Sequence, residues 1–467
     1  MMKRLNIPTI LLLACTFVGA RAWACYTVVV GRDASTDGAV LVGHNEQNSG
    51  SRFISFRRIP RMRYQAADVV ELAAGGCLPQ VPETHAFLWS QNLGLSFSDS
   101  YMNEYGVAVV SNGCPDRGGD LAQLEAEGQL RDGGIGYMLR RLVVQRATTA
   151  RQGVQIAGAI IDEVGYNSSR TLVIADPAEA WLLSMTRGKQ WVAQRVPDDK
   201  VVLLPNVYII NEVDLSDANS FLASDRLIDY AVEKGWWPAN KKPFIFSEAY
   251  GRPRDTLMDP RQWKGQSLVT GQTILRHPDR RLPFAVTPAG RMAVADVAAI
   301  LRNHDDVAIC SADTQEGSVF QLRSGLPPAV GCVYWRTSAE PCISVLTPWY
   351  AGITDVPPQY HKAIDVETQL TLAFHFGDTP GKFQPDNALA WWVFKKLQDR
   401  FNHASESTAA KNRLFWDTFE TGFLGRQSVV DRTAMDLHDK DPAAAARYLT
   451  EYCGEIAAIV LNEAARR

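Results

Sequence analysis

Several signatures are missing from these 467 residues, and each absence removes a class of function. There is no Gly-x-Ser-x-Gly run, so a serine nucleophile elbow has no support. Neither a phosphate-cradling glycine loop nor a dinucleotide glycine pattern occurs, so no cofactor is implied. The cysteines form no Cys-x-x-Cys pair and the histidines show no ligand spacing, so no metal site is expected. Charge of one sign is also lacking: 48 basic against 51 acidic residues leave a formal net charge of -3. That balance argues against nucleic acid or an anionic lipid surface as partner. After the first 24 residues no apolar run approaches the ~20 residues of a membrane-spanning helix. No internal repeat or low-complexity tail is present.

What the chain does have begins at its N-terminus. Lys3 and Arg4 precede the apolar run Ile7 to Ala20, and Ala22-Trp23-Ala24 follows as a small-residue cleavage triplet. The pattern is that of a secretory signal over residues 1–24. The expected location is therefore secreted or periplasmic. Cleavage after Ala24 makes Cys25 the first residue of the mature chain. A thiol and a free α-amine then sit on one residue, and an α-amine with a pKa of about 7.7–8.0 is a base near neutral pH. A rival reading takes Leu12-Leu13-Ala14-Cys15 as a lipoprotein box. Another takes Cys25 as an ordinary secreted cysteine beside the cut. With Cys15 removed and Cys25 set aside, six cysteines remain: Cys77, Cys114, Cys310, Cys332, Cys342 and Cys453. An even remainder suits disulfides in an oxidising compartment, with fifteen pairings open.

Hydrophobic patterning outlines an α+β chain. Tyr26–Gly31 and Ala39–Gly43 flank the turn Ser35-Thr36-Asp37-Gly38, so a β-hairpin is expected with Cys25 at its head. A strand pair is expected at Ala86–Asn92 and Gly106–Asn112. Helices are expected at Gly136–Thr148, Gln152–Val164 and Ala293–Arg302. Thr171–Ala175, Ala180–Met185 and Val201–Ile210 read as strands, and Val330–Tyr334 and Cys342–Leu346 as short ones. Lys241–Gln272 reads as an irregular surface excursion. From Asn387 the pattern is helical, with Trp391, Trp392, Phe394 and Leu397 on one core-facing stripe. The expected organisation is a signal over 1–24, one domain over 25–385, and a helical extension packed on it over 386–467.

Several segments together resemble one family. Cys25 followed by Tyr26 to Gly38 resembles the N-terminal signature of the C69 dipeptidases, which are N-terminal-nucleophile hydrolases. Met102-Asn103-Glu104-Tyr105-Gly106-Val107-Ala108 is similar to that family's Asn-Glu-x-Gly-Val element. Asp176-Pro177-Ala178-Glu179-Ala180-Trp181 is similar to its Asp-Pro-x-Glu-Ala-Trp strand pair. Ile309-Cys310, Trp335 and Pro341-Cys342-Ile343-Ser344 before Pro348-Trp349-Tyr350 also look like family elements. The resemblance implies an αββα sandwich. It implies that Cys25 attacks an amide carbonyl while its own amine relays the proton, and that an acyl-enzyme forms. It places Asn206, after Val201–Leu204, as an oxyanion donor, and Asn112 as a second one. Arg252 or Arg254, in Tyr250-Gly251-Arg252-Pro253-Arg254, is similar to a downstream arginine segment that reaches the nucleophile.

The chain departs from the family at the end of the first hairpin. His44-Asn45-Glu46-Gln47 stands where Arg-Asn-x-Asp is usual. His44 takes the arginine position and could donate to a thiolate. Gln47 takes the aspartate position without its charge. Glu46 could supply the carboxylate, although strand alternation is expected to turn it away. Glu46 or Asp176 could hold a substrate amine, and Asp176 reads equally well as a turn residue. His304 reads as a helix C-terminal residue. The leading expectation is a dipeptidase. One alternative keeps the chemistry but acts on N-acyl amides of the penicillin V or bile-salt type. The other is a non-catalytic secreted binding protein of the same fold.

Overall fold

The computed structural model describes residues 25–48, 52–378 and 382–467. The expected signal segment, its cleavage triplet and the rival Cys15 site lie outside those residues. Two antiparallel sheets carry the architecture. The strands are β1 (Tyr26–Val30), β2 (Ala39–Gln47), β3 (Ile54–Ile59), β4 (Phe87–Asn92), β5 (Ser100–Asn103), β6 (Ala108–Gly113) and β7 (Arg170–Ala175). They continue with β8 (Ala180–Met185), β9 (Trp191–Arg195), β10 (Val201–Leu204), β11 (Phe221–Ala223), β12 (Thr314–Arg323), β13 (Cys332–Arg336) and β14 (Thr347–Tyr350). One sheet has the order β10-β1-β2-β12-β13-β14, the other β11-β9-β8-β7-β6-β5-β4-β3.

Alternation along the strands builds the layers. Val173, Ala175 and Leu182 of the second sheet join a core shared with Val29, Val42 and Val202 of the first. Their neighbours Leu172, Ile174 and Leu183 face the other way, onto helices α1 (Met138–Arg146) and α2 (Ala150–Val164). The first sheet is covered on its outer face by α3 (Pro260–Thr270) and α4 (Val294–Leu301). Gly43 of β2 lies so close to α4 that a β-carbon there would meet Val297 at 2.3 Å. The result is an αββα sandwich. The C-terminal helices α5 (Ala390–Asn402), α6 (Glu406–His438) and α7 (Pro442–Arg466) share its main core through Phe394, Trp416, Ala434 and Leu449. Charged contacts reinforce that seam: Arg302 pairs with Glu420 and Arg323 with Asp431.

Several expected elements change. Ala86–Asn92 and Gly106–Asn112 do not pair with each other, because β5 lies between them. The strand expected over Val201–Ile210 stops at Leu204, where Pro205 lacks the N–H a ladder needs. The strand expected at Val330–Tyr334 is shifted to Cys332–Arg336. Cys342–Leu346 forms no strand: the Ile343 and Ser344 amides donate back to the Glu340 carbonyl in a turn. Lys241–Gln272 is not wholly irregular, since α3 lies inside it. All seven described cysteines are free thiols.

Candidate active site

Cys25 precedes β1 and is 4% exposed. The β1–β2 register pairs Tyr26 with Asn45 and Thr27 with His44. The two-residue period therefore puts Cys25, Thr27, His44 and Glu46 on one face. That face looks toward the second sheet. The Cys25 thiol donates to Glu46 Oε1 at 3.5 Å and lies 3.7 Å from the Gln47 carbonyl oxygen. Alternation thus brings Glu46 to the thiol, the reverse of what was expected, and turns Gln47 away. The Gln47 amide donates instead to the Ile309 carbonyl at 3.0 Å and to Thr314 Oγ1 at 2.9 Å.

A chain of hydrogen bonds runs on from Glu46. Its Oε2 is 3.4 Å from His44 Nε2, and His44 Nδ1 is 2.8 Å from Thr27 Oγ1. The single Thr27 hydroxyl hydrogen goes to Asn112 Oδ1 at 2.6 Å. Nδ1 of His44 must then be the donor to Thr27, because the hydroxyl has no second hydrogen. This leaves Nε2 facing a carboxylate oxygen of Glu46. Asn112 is oriented by its own amide, which donates to the Leu204 carbonyl at 3.0 Å. It braces the site; that amide is directed at the end of β10.

Burial pushes the Cys25 thiol well above its ordinary range, and the Glu46 charge pushes the same way. Arg170 opposes both. Its side chain is buried on β7, and its Nη1 comes within 3.9 Å of where a β-carbon on Gly113 would stand. Nothing in the local pattern of β7 singles it out.

The arginine that reaches the nucleophile backbone is Arg261, on α3. Nη1 donates to the Cys25 carbonyl at 3.4 Å and Nη2 to Asn206 Oδ1 at 2.8 Å. The Asn206 amide in turn donates to the Gly113 carbonyl at 2.9 Å. Helix α3 is seated by Tyr26, whose hydroxyl donates to the Arg261 carbonyl at 3.0 Å. Signals for this helix were available in the sequence. Asp259 caps it by accepting from the Arg261 and Gln262 amides, Pro260 occupies the first turn, and Gly271 closes it at φ 65°. Arg252 and Arg254 lie elsewhere. They are exposed and line a cleft of about 410 Å³ with Arg117, Tyr208, Glu248 and Arg281. Arg254 is occupied with the Leu257 carbonyl at 3.0 Å. Asp176 is a turn residue: it accepts from the Ala150, Ala178 and Glu179 amides.

The family model for peptidase family C69 matches residues 24–309. The chain belongs to peptidase family C69. It is an enzyme, a cysteine-type peptidase that hydrolyses amide bonds. A probable dipeptidase of Salmonella dublin is 27% identical over 375 residues, spanning 74% of this chain and 85% of that protein. A dipeptidase of Bifidobacterium longum (strain NCC 2705) is 26% identical over 407 residues, spanning 74% of each. A mutant conjugated bile acid hydrolase from Clostridium perfringens aligns with a TM-score of 0.28 and 11% identity, covering 68% of this chain and 89% of that one. One of the elements that resemble the C69 family, Met102 to Ala108, is structural here. Asn103 ties the β5–β6 turn to α1 through the Val144 and Ala147 carbonyls, each at 2.8 Å. Gly106 turns at φ 79°. No helix among the described residues is long and apolar enough to cross a membrane.

Proposed function

We propose that this peptidase is a secreted or periplasmic dipeptidase whose nucleophile is the thiol of an N-terminal Cys25. The observation that carries the reading is the setting of Cys25. It lies at the head of β1, against the Glu46 carboxylate, with Arg261 on its carbonyl and Asn206 held beside it. Removal of residues 1–24 frees the α-amine, which takes the thiol proton through a water. The sulfur then attacks the scissile carbonyl carbon. Asn206, oriented by Arg261 and by its bond to the Gly113 carbonyl, holds the oxyanion with the second hydrogen of its amide. The ammonium returns its proton to the leaving amine, and water hydrolyses the thioester. Glu46 offsets the positive charge that the new terminus brings into a buried site.

The experiment is an intact mass and N-terminal sequence of the exported protein, followed by assay on dipeptides and on N-acyl amides. A chain beginning at Cys25 that cleaves dipeptides, with all activity lost in Cys25→Ala, is the expected result. A chain that retains an amide on the Cys25 nitrogen and still turns over would overturn the mechanism. Activity confined to N-acyl amides would overturn the substrate assignment.

A further inference from the structure

A second group of side chains, unconnected with the proposed peptide chemistry, gathers in two loops at the ends of strands β12, β13 and β14. His304 and Cys310 come from the loop between α4 and β12, Glu340 and Cys342 from the loop between β13 and β14. One ligand atom from each lies within 4.8 Å of every other. The two sulfurs are 3.9 Å apart, Cys310 Sγ is 3.5 Å from Glu340 Oε1, and His304 Nε2 is 3.8 Å from the same oxygen.

These separations have a simple meaning. Zinc binds sulfur at about 2.3 Å and nitrogen or oxygen at about 2.0–2.2 Å, in a tetrahedron. Tetrahedral ligand atoms stand ~1.6 bond lengths apart, so two sulfurs should be about 3.8 Å apart and a sulfur and an oxygen about 3.5 Å. A disulfide instead needs its sulfurs at about 2.05 Å and has no use for the imidazole and carboxylate around it. The Glu340 carboxylate sits at 1% exposure. The Asn402 amide donates to its Oε2 at 2.9 Å, while Oε1 faces the Cys310 sulfur and the His304 ring. A buried carboxylate beside two thiols calls for a cation. Asn402 is also placed as an outer partner that would aim the carboxylate. The His304 side chain is 47% exposed, so the cluster opens to solvent on its side.

We propose that His304, Cys310, Glu340 and Cys342 form a structural zinc site that staples these two loops together. The site has no bearing on the nucleophile's chemistry but supports its surroundings. The Gln47 and Asn45 side chains of β2 both donate to the carbonyl of Ile309, the residue before Cys310. Ala339, at φ 64°, holds a left-handed turn immediately before Glu340.

The test measures zinc in the whole exported protein, purified without reductant or added metal, by mass spectrometry and X-ray absorption. About one zinc per chain is expected, with two sulfur and two lighter ligands. Because Cys25, His44 and Glu46 form the other close group of potential ligands among the described residues, Cys25→Ala should keep its zinc. His304→Ala and Cys342→Ser should lose it, and Asn402→Ala should bind it about 10–100-fold more weakly in a chelator competition. A Cys310–Cys342 disulfide in the peptide map would overturn the proposal. So would zinc that disappears with Cys25→Ala but survives both His304→Ala and Cys342→Ser.

Discussion

Cys25 and Cys342 each lie beside a histidine and a glutamate, yet the two thiols are driven in opposite directions. Burial and the Glu46 charge push Cys25 upward. At Cys342 a hydrogen bond from the Cys310 thiol, supported by His304, outweighs burial and draws the thiol down to about 5. What differs is which partner donates. Cys25 gives its hydrogen to a carboxylate, whereas Cys342 receives one. A thiol that accepts hydrogen bonds favours the thiolate, and one that donates to an anion keeps its proton. A cysteine's neighbours by type therefore say little about its reactivity. In the proposed mechanism Cys25 becomes a nucleophile only after processing adds a base.

The comparison can be broken most severely at the nucleophile. Cys25→Ala should reduce dipeptide turnover by at least about 10⁴-fold, since it removes the sulfur that attacks the carbonyl. Glu46→Gln should lower kcat/KM by about 10²–10⁴-fold. It should also sharpen the contrast between the thiols. Without the adjacent charge, alkylation of Cys25 should begin at lower pH than in the parent, which peptide mass mapping over a pH series would read. Asn206→Ala should cost about 10²–10³-fold in kcat if its amide holds the oxyanion. Arg261→Met should produce part of the same loss, and the double variant should lose less than the sum because the two side chains share a hydrogen bond.

Smaller effects test the supports. A β-carbon on Gly265 would stand 1.9 Å from the Tyr26 hydroxyl and 3.0 Å from Leu203. Gly265→Ala should therefore destabilise the fold by about 1–3 kcal/mol, seen as a lower melting temperature, and displace Arg261. For the second thiol the sign is clear. A lowered pKa means that thiolate persists as pH falls, so chelator-treated protein should be alkylated at Cys342 near pH 6. Cys25 in unprocessed chain should resist even above the ordinary thiol range. Added zinc should protect Cys342 and leave the pH dependence of Cys25 unchanged.

Much of the framework was legible in the sequence. The hairpin that carries Cys25, helix α2, and strands β7 and β8 follow from alternation and from turn or cap residues that act over a few positions. The C-terminal helices follow from their apolar stripe. Where reading failed, a local signal was overridden or passed over. Pro205 cut a strand that hydrophobicity alone would extend, and the Asp259-Pro260 cap of α3 lay in a stretch judged by its weak periodicity. The resemblance to the C69 family was carried partly by turn residues such as Asn103 and Asp176, whose role is to hold strands and helices in place.

By itself the sequence determined which segments extend or coil, because those preferences depend on residues one to four positions apart. It also determined that a cysteine heads the first strand. Only the tertiary structure decided that Arg261 of α3 meets Asn206 at Cys25, that Glu46 faces the thiol while Gln47 is drawn to Ile309, and that His304 and Cys310 meet Glu340 and Cys342. Those meetings join residues tens to hundreds of positions apart. Their geometry is set by how sheets and helices pack, which no local periodicity records.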